Sequence, residues 1–209
     1  MDSPKYPLYL ARYSCQSLQI QAYWLRMLKT NVLTNHFLVA MPALVDFNFN
    51  KSVVYIYEHT PAGAMGVIVN KPSQINLGGV LEHLNIKTNP SISKIPVLMG
   101  GPVGQERGFI LFENSAKSSS NSNDISISAS KQMLDEIAKG SGPNYFIVTL
   151  GYSGWGAGQL EKEVSRNDWL IVPYHHHILF DTPLEKRWEA AAASIGIDLK
   201  RISGQVGHA

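Results

Sequence analysis

The stretch from residue 52 to 70, "SVVYIYEHTPAGAMGVIVN", constrains the fold more than any other part of the chain. Two runs rich in β-branched and aromatic residues flank "TPAGA", whose Pro61 and Gly63 suit a tight connection. This pattern predicts an antiparallel hairpin over 52–70. Further strands are predicted at "HFLVA" (36–40), "IPVLM" (95–99), "RGFILFE" (107–113), "DISIS" (124–128), "YFIVTL" (145–150), "DWLIVP" (168–173) and "ILF" (178–180). The loop "GGPVGQE" joins the strands at 95–99 and 107–113, and "YFIVTL", apolar almost throughout, reads as a central strand.

Helices are few and dispersed. "LGGVLEHL" (77–84) is a short one, weakened by two glycines. Ser130 is placed to cap a second through Lys139, with Met133, Leu134 and Ile137 as its apolar stripe and Gly140 as its stop. A third has Thr182 as N-cap, Pro183 in its first position and Glu185 completing a capping box. Its buried face is Trp188, Ala191, Ala192 and Ile195, and Gly196 ends it. Strands in hairpin-like pairs with scattered helices predict an α+β fold on a mixed, largely antiparallel sheet. One domain is expected over residues 30–209, after an extension over 1–29. The serine-rich "NSAKSSSNSN" (114–123) is expected to be a mobile loop.

Charge narrows the function classes. The net charge of +2 is accounted for by Lys5, Arg12 and Arg26 against Asp2 in residues 1–26, so the remainder is formally neutral. Nucleic-acid binders draw most of their affinity from basic excess, and no helix-turn-helix with a basic second helix is visible, so direct nucleic-acid binding is not expected. No apolar run approaches the roughly 20 residues of a membrane span. The lone Cys15 excludes an internal disulfide and fits a reducing compartment, so a cytoplasmic protein is predicted, with no membrane partner. The extension lacks a secretory signal's features; "YSCQSLQIQAYWLRML" places Leu18, Ala22 and Leu25 at helical spacings, and Met27 would serve as an alternative start.

"GYSGWGAGQLEKE" (151–163) carries the most distinctive composition. A strand, then glycines, then a helix start is the context of an anion site, yet the run Gly158-Gln159-Leu160 lacks the lysine of a phosphate loop. With Gly158 as N-cap, Glu161 falls at N3, where its carboxylate can reach back to the N-cap amide and occupy the positive helix end. Ser153 is followed by Gly154 and Trp155, the wrong spacing for a nucleophile elbow. The remaining reading is a tight corner: the glycines let the backbone approach its neighbours, Trp155 plugs the space, and Leu160 and Val164 anchor the next helix.

Together with "EHTPAGAMGVIVNKP" (58–72), "HFLVAMP" (36–42), "GGPV" (100–103), "RGF" (107–109), "NDWL" (167–170), "ILFD" (178–181), "RW" (187–188) and "GHA" (207–209), this stretch resembles the AlgH/YqgE family of bacterial proteins over about Leu33 to Ala209. The resemblance implies a single domain with a bifurcated, barrel-like sheet. It implies no established activity, and it brings a name linked to transcriptional regulation of alginate production. This chain departs from the family pattern at Ser153, Thr60 and Phe112, where alanine, asparagine and histidine are usual. The extension has no family counterpart, which favours a start at Met27.

The candidate binding or structural residues are therefore Glu58, His59, Asn70, Lys71, Gly100, Gly101, Gly154, Trp155, Gly158, Gln159 and Glu161. None is assigned a catalytic role, and no metal or cofactor is predicted. In a strand, His175 and His177 of "HHH" would share one face and both could ligate, but a third ligand is wanting; a polar segment leading into a strand is preferred. Glu58 and His59 flank the hairpin turn, whereas Asn70 and Lys71 lie toward its opposite end. The function predicted is a non-enzymatic regulatory or interaction protein with a protein partner, acting on transcription indirectly. The alternatives are a small-molecule or nucleotide-binding module at 151–161, or an enzyme using Glu58 and His59 as an acid/base pair.

Overall fold

The computed structural model describes residues 33–113 and 125–203. The expectations for the extension, the Met27 start, the serine-rich loop and the terminal "GHA" lie outside the described residues.

The hairpin forms where its sequence places it. Strand β2 (Val53–Thr60) pairs antiparallel with β3 (Gly63–Ile68), and Thr60 stands opposite Gly63 across the turn. Strand β1 (His36–Ala40) runs antiparallel along the other side of β2, and β9 (Trp169–Pro173) runs antiparallel along β1. Every residue of β1 is buried, because both of its faces are covered. Phe37 and Val39 join one apolar cluster while Leu38 and Ala40 join another, the period of two expected of a strand.

Strand β8 (Phe146–Gly156) organises the rest. Its first half lies between β5 (Pro96–Met99), which is parallel to it, and β6 (Val103–Glu113), which is antiparallel. Its last residues, from Ser153 to Gly156, pair antiparallel with β3. Among the described residues the sheet has nine strands in the open order β4-β5-β8-β3-β2-β1-β9, where β4 is Pro72–Asn76. It forks at β8, whose partner β6 carries β7 (Ile125–Ser128) on its outer side. The mixed, mainly antiparallel sheet agrees with the sequence. Strands β5 and β6 are not a hairpin, however: β8 lies between them, and the predicted loop "GGPVGQE" is partly the irregular start of β6.

Helices cover the fork. Helix α1 (Leu77–His83), the short α2 (Pro90–Ser93) and α3 (Lys131–Lys139) flank a cluster containing Leu77, Leu81, Ile110, Leu134, Ile137 and Val148. Helix α3 follows its sequence signals: the Ser130 side chain accepts from the Gln132 amide, and Gly140 closes it at φ 76°. Helix α4 (Gln159–Ser165) covers the second cluster through Leu160 and Val164. Helix α5 (Arg187–Ala193) buries Trp188, Ala191 and Ala192 as predicted, and α6 (Leu199–Ser203) follows.

The start of α5 differs from its predicted capping box. Residues 178–180 are no strand; they belong to a wide helical turn, His177–Asp181. The Thr182 hydroxyl donates to the His177 carbonyl, which closes that turn and removes it from capping duty. A tight turn, Leu184–Lys186, then intervenes before α5 begins.

Candidate functional site

The glycine stretch is a strand for most of its length. Strand β8 continues through Gly156, and the chain turns at Ala157–Gly158 into α4. The predicted corner at 151 is instead the bend by which β8 passes from one wing of the sheet to the other. Gly151 has φ 72°, and a Cβ there would stand 2.6 Å from the Gly101 carbonyl oxygen. Gly100 ties the fork together: its amide donates to Leu150 and its carbonyl accepts from Ile68, both at 2.7 Å. Ser153 is fully buried and its hydroxyl donates to the Gly100 carbonyl at 3.3 Å, so it is unavailable as a nucleophile.

Helix α4 is held to the sheet by side chains on two of its turns. Gln159 Oε1 accepts from the Gly156 amide at 3.0 Å, and its Nε2 donates to Glu163 Oε1 at 2.9 Å. The other oxygen of Glu163 accepts from both the Trp155 indole N–H (2.8 Å) and the Trp169 indole N–H (2.9 Å). The two rings meet edge to face with centroids 6.1 Å apart, and Phe49 packs on both. One carboxylate thus satisfies two buried indoles and a side-chain amide.

His59 and Glu161 form a second tie. The buried His59 ring accepts the Leu33 amide on Nδ1 at 2.9 Å, which leaves that nitrogen without a proton and places the ring proton on Nε2. Nε2 then donates to Glu161 Oε1 at 3.0 Å. Glu161 therefore turns to His59 rather than back to the N-cap amide of Gly158, which no side chain caps, while Gln159 holds the Gly156 amide at the end of β8. Both nitrogens of His59 are engaged. Glu58, the neighbouring residue on β2, is exposed while His59 is buried, so the two do not form an acid/base pair.

The candidates thus divide. His59, Trp155, Gly158, Gln159 and Glu161 come together around α4; Gly100 and Gly101 sit at the fork; Gly154 is exposed on β8 opposite Met65. Asn70 and Lys71 lie at the far end of the hairpin. Asn70 accepts from the Val53 amide and donates to the Lys51 carbonyl, fixing the start of β2. Lys71 Nζ donates to the Asn48 carbonyl at 2.7 Å; burial lowers its pKa and Asp46 opposes that shift. Through Asn48 and its neighbour Phe49, this end also reaches the Trp155–Trp169 pair.

The histidine triplet is not in a strand, since β9 ends at Pro173 and the residues lead into the 177–181 turn. The His175 and His177 rings stand 5.7 Å apart, and His176 Nδ1 lies 3.3 Å from Glu113. Burial lowers the pKa of His175, and His177 adds to the shift. Among the described residues no group of three or more His, Cys, Asp or Glu side chains is arranged to hold a metal. An open groove of about 720 Å³ between α1 and α2 is lined by Asn76, Gly79, Glu82, Asn85 and Ser93, none of them singled out in the sequence.

Sequence reasoning missed Glu163, Trp169 and Phe49. The one local signal was the i,i+4 spacing of Gln159 and Glu163 on a helix. Glu161 is the more exposed partner in its bond, so Glu161→Ala is expected to lower unfolding free energy by about 1 kcal/mol while the Leu33–His59 bond persists. Urea denaturation and the Leu33 amide exchange rate check both halves of that expectation.

A forked, mainly antiparallel sheet whose motif residues pin one short helix over a tryptophan pair defines the class. The chain matches the family model DUF179, AlgH-like, over residues 37–200, and it belongs to that family. It is 58% identical over 184 residues to a UPF0301 protein of Coxiella burnetii (strain RSA 493 / Nine Mile phase I), covering 88% of this chain and 93% of the relative. A UPF0301 protein of Nitrosococcus oceani is 46% identical over 179 residues, covering 84% and 96%. The solution structure of the AlgH protein from Pseudomonas aeruginosa superposes with a TM-score of 0.68 at 43% identity, over 85% of this chain and 96% of that one. Protein DIP2367 from Corynebacterium diphtheriae shares the fold at 20% identity, with a TM-score of 0.64 over 81% of this chain and 91% of that one. No described helix is long and apolar enough to cross a membrane.

Proposed function

We propose that this chain is a non-catalytic interaction protein of the cytoplasm whose partner docks on the loop between β1 and β2, and that any effect on transcription passes through that partner. The observation that carries this reading is the pair Val45 and Phe47, each 92% exposed. Large apolar side chains held in water on a rigid support are what a binding hot spot offers. The support is rigid by construction. Asp46 Oδ1 accepts from the Asn48 and Phe49 amides, its carbonyl accepts from Phe49 and Asn50, and Lys71 pins Asn48 from below. Phe49 anchors the loop in the tryptophan pair while Phe47 faces outward.

The occupant that suits this knob is a protein with an apolar pocket. Nucleotide binding at 151–161 has less support, because Glu161 and Glu163 place negative charge beside α4 and Gln159 already holds the Gly156 amide. A native pull-down identifies the partner, which is then purified and titrated. The double variant Val45→Ser/Phe47→Ser is expected to keep the wild-type Tm and to weaken binding at least tenfold, about 1.4 kcal/mol or more. Equal binding by variant and wild type would refute the docking site. A sequence-specific gel shift by the purified chain alone would refute indirect action.

A further inference from the structure

The segment that leads into β1 is fastened to β2 at two points of different chemistry. At Asn35, where φ is 62°, the amide donates to the Ile56 carbonyl at 2.9 Å, a bond between main-chain groups that do not titrate. At Leu33, which is fully buried, the amide donates to a side chain instead, His59 Nδ1 at 2.9 Å. A β-bulge aims that histidine. Tyr55 and Tyr57 pack with the cluster of Phe37 and Val39, and a period of two would send residue 59 to the same face. The register with β3 slips between Ile56 and Glu58, so His59 falls opposite Ala64, on the face where Leu33, Ala64 and Trp155 cluster. There its side chain is 2% exposed.

The two bonds of the ring respond oppositely to a proton. Nε2 donates to Glu161 Oε1 at 3.0 Å, and that bond gains strength when the ring is charged. Nδ1 accepts, and an imidazolium has no acceptor, because both of its nitrogens carry hydrogen. A second proton on His59 therefore sets an N–H against the Leu33 N–H and leaves a buried backbone donor without its partner. The other titratable groups around this face do not share that conflict. Glu163 of α4 is held by Trp155 and Trp169, while Lys162 and Glu58 are exposed. His36 on β1 has Nδ1 3.0 Å from the Thr34 carbonyl, an acceptor that requires the nitrogen to be protonated and so tolerates a charged ring. Strand β3 and residues 153–156 of β8 contribute no ionisable side chain.

We propose that His59 is a proton-operated latch: neutral, it holds Leu33 in the buried cluster; charged, it keeps Glu161 and releases Leu33, with the Asn35 bond as the hinge. The test follows amide exchange in the full chain from about pH 8 to about pH 5, each rate corrected for its intrinsic dependence on pH. The ring-nitrogen resonances of His59 report when Nδ1 takes its proton. Over that interval Leu33 protection is expected to fall at least about tenfold while Asn35 keeps its own. His59→Asn offers an acceptor near the position of Nδ1 that does not titrate, so its Leu33 protection is expected to be independent of pH. Glu161→Gln keeps an acceptor for Nε2 and removes the charge that favours the imidazolium, so it is expected to carry the loss to lower pH. If His59→Asn fails to fold, Glu161→Gln decides. Protonation of Nδ1 with Leu33 protection unchanged overturns the proposal, as does a ring that takes no second proton above about pH 5. A loss that Asn35 shares in equal measure is general unfolding and overturns it too.

Discussion

Replacing Glu163 by alanine is expected to lower the unfolding free energy by about 3 kcal/mol, a large fraction of what a domain of this size possesses. The argument rests on donors left behind. Trp155 and Trp169 are 6% and 4% exposed, and the N–H of each is satisfied by the same carboxylate oxygen. An abandoned buried donor costs about 1–3 kcal/mol, and two are abandoned together, with partial relief because Glu163 itself is only half-buried. The Gln159 side chain also loses its acceptor. Glu163→Gln keeps an oxygen for the indoles and removes only the charge, so about 1 kcal/mol is expected. Chemical denaturation gives the ordering, and tryptophan emission should move to longer wavelength in Glu163→Ala as water reaches the pair. A loss below 0.5 kcal/mol for the alanine variant would mean that α4 is held by its apolar face alone.

Gly151→Ala should be comparably damaging, by roughly 3 kcal/mol, for a backbone reason. The residue sits at φ 72°, a conformation that costs an L-residue about 1–2 kcal/mol. The new Cβ would also stand 2.6 Å from the Gly101 carbonyl oxygen and 3.0 Å from that of Val103. Both obstacles are main chain, one in the β5–β6 connection and one at the start of β6, so neither can rotate away, and overpacking of that kind costs about 1–3 kcal/mol more. Gly158→Ala is the control: its φ is 69°, but nothing lies within 4 Å of its Cβ, so only the conformational part should be lost. A thermal melt in which the two variants coincide would show that the fork adjusts freely around an added methyl.

How far these features were legible follows from the range of the interactions behind them. The hairpin at β2–β3 and the caps of α3 are contained within a few residues, and Pro61, Gly63, Ser130 and Gly140 announced them. The stop expected at Gly196 comes early: α5 ends at Ala193, and Gly196 at φ 77° closes the turn that follows. The start of α5 was not local, because the Thr182 hydroxyl had two acceptable uses and the 177–181 turn claimed it. The partners of β8 could not be read at all. Its first half pairs with β5, about fifty residues earlier, and its last residues with β3, about ninety earlier, and an apolar run says nothing about where one sheet hands over to another. Glu161 was correctly placed on the first turn of α4, yet its partner lies 102 residues away on β2, beyond any helix-capping rule. Glu163 looked like one more charged residue on a solvated helix until Trp155 and Trp169 were brought to it.

Since β8 belongs to both wings of the sheet, neither wing has an edge at which the molecule could part from the other. Pulling the Ser153–Gly156 half away from β3 would drag on the half that β5 and β6 hold, through a bend whose glycines leave no slack. Evolution or an engineer could lengthen loops on either side of this domain, but a split into two self-sufficient pieces would have to cut through the one strand that each piece needs whole.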